Sequence, residues 1–168
     1  ALDPACGDGR LLSALCDRVT VSTALGVDID PTAIAAISDQ RLDVRCGNGL
    51  DVQWSSAHAD GPFDLVLANP PFLSQMARST TRGGSSQLGG GPYANTALEF
   101  CLTGVRALRP GGRLVILLPQ SALTARDGAD LRAAVAAEAS MIGSWWSPDR
   151  PFEAEVNVAM LVLQRGVA

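Results

Sequence analysis

The chain alternates between short apolar runs and stretches in which apolar residues recur every three or four positions. Runs of strand length fall near 1–3, 23–28, 42–46, 63–68, 112–118, 140–146 and 156–164. Short apolar runs bounded by Gly, Pro, Asn and Asp predict β-strands. Helical spacing predicts helices near 9–18, 31–39, 94–108 and 125–138. Alternation of the two element types predicts an α/β fold with a doubly wound, mostly parallel sheet. The last two strands have no helix between them, so the last of the seven strands is expected to run antiparallel. There is no internal repeat.

Several of these strands end in residues suited to chemistry. The run Phe63–Ala68 leads into Asn69-Pro70-Pro71-Phe72. Each proline removes a backbone donor and fixes φ near −65°, and a residue before proline is pushed out of the α region. The product is a stiff loop presenting one amide, bare carbonyls and an aromatic ring. Such a loop suits a flat group bearing an exocyclic amine; a rigid connection without chemistry is the alternative.

At the start of the chain, Leu2-Asp3-Pro4-Ala5-Cys6-Gly7-Asp8-Gly9-Arg10-Leu11-Leu12 reads as a strand end, a glycine turn and a helix. Gly7 and Gly9 permit close backbone approach to a ligand, near the N–H groups that open the helix. The dinucleotide fingerprint is incomplete, because Leu12 stands where its third glycine belongs. Asp3 would repel a pyrophosphate and suits a cofactor carrying an amine or a positive charge. In Ala24-Leu25-Gly26-Val27-Asp28-Ile29-Asp30-Pro31 a second strand ends in an acid, the position that grips a ribose in open α/β sheets. Ile29 would then lie against the base, and Asp30-Pro31 reads as the cap and first turn of the next helix. After the third strand, Gly47-Asn48-Gly49 offers Asn48 either to an adenine amino group or as a plain turn residue.

These motifs, in this order, resemble those of the class I S-adenosylmethionine-dependent methyltransferases, and specifically the N6-adenine DNA methyltransferases of restriction-modification systems. Tyr93–Phe100 resembles that family's helix after the catalytic loop, and Leu108–Pro119 its fifth strand with the preceding turn. The resemblance implies a Rossmann-like methyltransferase sheet. It implies catalytic roles for Asn69, Pro70, Pro71 and Phe72. It implies S-adenosylmethionine as cofactor, held by Asp3, Pro4, Ala5, Cys6, Gly7, Gly9, Asp28, Ile29, Asn48, Gly49 and Asn69. The implied reaction moves a methyl group to the N6 amine of an adenine flipped out of DNA. An RNA adenine, a protein glutamine, or a non-catalytic cofactor-binding subunit are the alternatives; a nicotinamide-dependent oxidoreductase is disfavoured by the missing glycine and by Asp3.

The family usually carries Asp where this chain has Asn48, and usually has a cofactor-binding segment before the first strand. The 168 residues are therefore expected to be the catalytic core of a longer protein, with a flexible loop at 73–92. That loop carries Arg78 and Arg82 and is expected either to cover or contact the substrate or to serve as a linker. The partner implied is double-stranded DNA, bound largely through regions outside this segment, with a specificity or nuclease domain or subunit alongside. The net charge of −4 gives this segment little affinity of its own for duplex phosphates.

Composition removes other classes. All 13 basic residues are Arg, so Lys-based Schiff-base and nucleophile mechanisms are excluded. The lone histidine, His58, sits in a polar stretch, which makes a Ser-His triad or His-rich metal site implausible. Cys6, Cys16, Cys46 and Cys101 are scattered and form no Cys-x-x-Cys pair, which points to reduced thiols in a cytoplasmic protein with no metal site. No apolar run reaches the roughly 20 residues of a membrane span. Of Trp145 and Trp146, one is expected to face the core and the other to be partly exposed.

Overall fold

The structure, a computed structural model, describes residues 1–51, 63–71, 96–146 and 157–166. Its strands are β1 (Leu2–Asp3), β2 (Ala24–Asp28), β3 (Leu42–Cys46), β4 (Phe63–Ala68), β5 (Leu108–Pro119), β6 (Ala139–Trp146) and β7 (Val158–Arg165). The helices are α1 (Arg10–Cys16), α2 (Pro31–Ala35), α3 (Thr96–Ala107), α4 (Gln120–Thr124) and α5 (Ala129–Glu138), with a 3-10 turn at Arg126–Gly128.

One seven-stranded sheet runs in the order β3-β2-β1-β4-β5-β7-β6. The pairs β3–β2, β2–β1, β1–β4 and β4–β5 are parallel, whereas β7 runs antiparallel to both β5 and β6. The expected doubly wound sheet with an antiparallel last strand is thus the observed one. The strand order reverses between β1 and β4, and in open α/β sheets the crevice at that point, outside the carboxyl ends of the strands, is where ligands sit.

Alternation along β2 builds the two faces. Leu25 and Val27 point into the larger core, with Leu2, Val66, Leu114 and Ile116 of the sheet and Leu98, Cys101 and Val105 of α3. Ala24 belongs to a smaller core on the other face, with Cys6, Leu12 and Leu42. Gly26 is needed there: a Cβ at this position would stand 2.9 Å from Cys6 Sγ. Gly104 does the same service on α3, where a Cβ would come within 3.1 Å of Leu114 Cδ1. Both glycines let a neighbouring element sit tight against the sheet.

Several boundaries differ from those the sequence predicts. The fifth strand starts at Leu108, ahead of the expected 112. Phe63 pairs with Leu108 and Leu65 with Arg113, so a bulge absorbs Arg109-Pro110-Gly111-Gly112, with Gly111 at φ 77°. The helix expected over 31–39 ends at Ala35. That expected over 125–138 is split into the 3-10 turn and α5, and α4 precedes it where no helix is expected. The expectation for Trp145 and Trp146 is overturned: they are 52% and 49% exposed. The reason is topological, since β6 is the outermost strand. Among the described residues, no helix is long and apolar enough to cross a membrane. The loop at 73–92 with Arg78 and Arg82, and His58, lie outside the described residues.

Candidate cofactor and catalytic site

Because β1 to β4 run parallel, their carboxyl ends emerge on one edge of the sheet, and nearly all the site residues named above follow one of these four ends. Asp3 closes β1 and leads into Pro4-Ala5-Cys6-Gly7-Asp8-Gly9. Asp28 closes β2 and is followed by Ile29. Gly47-Asn48-Gly49 follows β3, and Asn69-Pro70-Pro71 follows β4. Phe72 lies outside the described residues.

The turn after β1 is built on two glycines with positive φ, Gly7 at 52° and Gly9 at 78°, a region side chains with a Cβ rarely enter. The Gly9 N–H donates to the Cys6 carbonyl at 2.8 Å, and the Cys6 N–H donates to Val27 of β2 at 3.0 Å. The Cys6 side chain packs inward against Leu12 and the bare face of Gly26. Burial, with Asp3, Asp28 and Asp8 nearby, pushes its thiol up to about 12, so Cys6 is no nucleophile.

Asp28 holds this turn from the next strand. Its Oδ2 accepts the Gly7 N–H at 2.7 Å and its Oδ1 the Asp30 N–H at 2.9 Å. Each oxygen keeps a second lone pair for a ligand hydroxyl. Asp30 caps α2 by accepting the Thr32 N–H at 2.8 Å, with Pro31 in the first helical position, as its sequence predicts. Ile29 stands out from the surface at 68% exposure.

The end of β3 is clamped to both neighbours. The Gly47 N–H donates to the Asp28 carbonyl at 2.8 Å. Gly49 is buried against Pro4, where a Cβ would lie 1.6 Å from the Pro4 carbonyl oxygen. Only glycine fits there. Gly26 and Gly47 are not legible as site residues in the sequence. The Gly-Asn-Gly spacing after a strand was the one available signal for Gly47.

Asp3 is the unusual group. It is 2% exposed and accepts one hydrogen bond, from the Ala5 N–H at 3.0 Å. Among the described residues no Arg pairs with it. Burial drives its carboxyl up to about 7, the Ala5 N–H opposing and the nearby Asp28 charge adding to the rise. A dry carboxylate without a cation is costly, and a ligand bringing positive charge would relieve it.

Across the strand-order reversal stands Asn69. Leu2 of β1 pairs with Val66 of β4, and Ala5 and Asn69 each lie three residues beyond that pair. Asn69 is exposed, and its amide makes no hydrogen bond among the described residues. Pro70 behind it is buried. An unspent amide, followed by two prolines, therefore sits at the carboxyl end of β4, on the strand next to the one that leads into the glycine turn. Also among the described residues, no three His, Cys, Asp or Glu side chains gather as a metal site.

A profile of the N-6 DNA Methylase family matches residues 1–167. The chain belongs to that family. The type II methyltransferase M.TthHB8I of Thermus thermophilus is 29% identical over 164 residues, covering 82% of this chain and 33% of the relative. The tRNA1(Val) (adenine(37)-N6)-methyltransferase of Porphyromonas gingivalis is 25% identical over 130 residues, covering 73% of this chain and 50% of the relative. In structure, a Listeria monocytogenes protein assigned to the class I S-adenosylmethionine-dependent methyltransferases superposes with a TM-score of 0.74. It is 23% identical, with 98% of this chain and 53% of that one covered. The chain spans about half the length, or less, of these proteins.

S-adenosylmethionine is the cofactor, and the residues fit it. A buried carboxylate at Asp3 would suit its amine and sulfonium end, the two acceptor oxygens of Asp28 its ribose, and the exposed apolar side chain of Ile29 its base. Asp28→Ala removes those acceptors and also the anchor of the Gly7 N–H. With roughly 1.5–3 kcal/mol per charge-assisted hydrogen bond, calorimetry is expected to register at least a tenfold loss of S-adenosylmethionine affinity. Unchanged affinity would remove Asp28 from the ribose site.

Proposed function

We propose that this protein methylates the N6 amine of adenine in DNA, as part of a restriction-modification or other DNA-modification system. The observation that carries the reading is the position of Asn69. An exposed, rigidly backed amide stands directly across the strand-order reversal from the turn that receives the cofactor. The match to the N-6 DNA Methylase family supports DNA as the substrate.

When bound, S-adenosylmethionine supplies a methyl group already activated by a sulfonium, so the protein has to position and stabilise. The adenine amine is a weak nucleophile because its lone pair is delocalised into the ring. Asn69 Oδ1 and the Pro70 carbonyl each accept one of its N–H bonds, which concentrates the lone pair and aims it at the methyl carbon. Phe72, outside the described residues, is the ring that the family resemblance assigns to stacking on the base. Asp3 and Asp28 would hold the donor; as the carbon–nitrogen bond forms the carbon–sulfur bond breaks, leaving a neutral thioether, and the methylated amine sheds its extra proton to solvent, so no general base of tuned pKa is required. The base must first leave the duplex, at a cost of a few kcal/mol. Since this chain is acidic, the basic surface for DNA belongs to another part of the protein, or to a specificity or nuclease partner.

The test follows tritium from labelled cofactor into duplex DNA, RNA and protein offered together to the intact protein. Label recovered as N6-methyldeoxyadenosine is the expected result. Label in RNA adenine would instead favour the second reading, which the tRNA-methylating relative supports. Label in a protein glutamine would remove nucleic acid as the substrate. Tight cofactor binding with label in none of these would leave a binding subunit.

A further inference from the structure

Asn48 lies between two glycines at the end of β3, and its side-chain orientation is fixed. Its Oδ1 accepts the Leu50 N–H at 3.1 Å, and its backbone carbonyl accepts the Asp51 N–H at 2.9 Å. A backbone N–H cannot donate to an amide NH2 group, so the oxygen is the atom turned toward Leu50. The Nδ2 group is left outward on an exposed side chain, with no other hydrogen bond among the described residues.

The sheet order decides what Nδ2 borders. A methyl group must reach Asn69 beyond β4, while the ribose is taken by Asp28 at the end of β2. With strands ordered β3-β2-β1-β4, the purine then extends away from β4, across the exposed Ile29, to the end of β3. The Gly47 N–H bond to the Asp28 carbonyl holds that end beside the ribose position.

We propose that Asn48 meets the 6-position edge of the cofactor's purine as a hydrogen-bond donor, through Nδ2. This rests on the cofactor assignment above. On an adenine edge only a ring nitrogen beside the 6-position, N1 or N7, accepts such a bond, because the 6-amino group is itself a donor. On a 6-oxo purine the O6 atom accepts it equally well. Position 48 therefore exerts no selection for the 6-amino group. An Asp there would: one oxygen would take the Leu50 N–H and the other would accept from the amine and repel a 6-oxo group.

The test is calorimetric titration of the intact protein and its Asn48→Asp variant with S-adenosylhomocysteine and S-inosylhomocysteine, which differ at the purine edge. The turn tolerates Asp. The wild type is expected to bind the two compounds within about threefold of each other. Asn48→Asp is expected to prefer the adenosyl compound by about tenfold or more, the yield of one charge-assisted hydrogen bond. A wild-type preference of tenfold or more that Asn48→Asp leaves unchanged would overturn the proposal and leave the cofactor assignment standing. Failure of the wild type to bind either compound would overturn both.

Discussion

Asn69→Ala is expected to leave S-adenosylmethionine binding intact while methyl transfer falls at least a hundredfold. Asp28, the glycine turn and Asp3 are untouched by this change, and Asn69 itself makes no hydrogen bond among the described residues. Its removal therefore costs the fold little. What it removes is an acceptor whose interaction strengthens as the amine gives up electron density to the methyl carbon. Interactions stronger in the transition state than in the ground state act on turnover, not on substrate binding. Loss of a comparable preorganised group costs about 100- to 1,000-fold in kcat. Single-turnover rates with bound cofactor, alongside calorimetry of cofactor binding, separate the two effects. A mutant that transfers at the wild-type rate would remove Asn69 from the mechanism. A mutant that loses cofactor binding in proportion would make it a binding residue only.

Much of this architecture is legible in the sequence, because strand ends in a parallel sheet share one edge. Once Phe63–Ala68 and Ala24–Asp28 read as parallel strands, Asn69 and Asp28 must emerge together, whatever the intervening chain does. The glycine turn is readable for a similar local reason, since Gly7 and Gly9 occupy backbone regions closed to other residues. What stays hidden is long-range contact. That Asp28 holds the Gly7 N–H, 21 residues away, is absent from any window around either residue. The same holds for Gly49, whose missing side chain makes sense only beside the Pro4 carbonyl.

The misread pieces have a common cause as well. Of Trp145 and Trp146 the sequence leads one to expect one in the core, but burial on β6 depends on strand order, which sets this strand at the sheet's rim and leaves both about half exposed. The fifth strand begins early because Arg109–Gly112 bulge between the Phe63–Leu108 and Leu65–Arg113 pairs, and a bulge belongs to the pair of strands, not to one of them.

The burial of Asp3 is likewise a tertiary property, and it leads to the second large effect. Asp3→Asn is expected to stabilise the cofactor-free protein while weakening its hold on S-adenosylmethionine. The carboxyl rises from an ordinary 3.8 to about 7, chiefly through burial. A raised acid pKa means that folding disfavours the ionised form. The native state is unaffected by Asp3 ionisation below about pH 4, loses stability as the pH rises toward 7, and stays lower above it. Ionised in both states, the group costs roughly 4 kcal/mol. Asn keeps an oxygen for the Ala5 N–H and cannot ionise. The mutant's gain is therefore expected to be small near pH 4, to grow to pH 7 and to level off there, reaching on the order of 10 °C in Tm at pH 8. A bound sulfonium and amine reverse the sign by favouring the carboxylate. Below pH 7 the wild type should then release a proton on binding cofactor, measurable by calorimetry in buffers of different ionisation enthalpy, and the mutant should release none. A stability gain independent of pH, or equal proton release from both proteins, would show that Asp3 is not the charge that receives the cofactor.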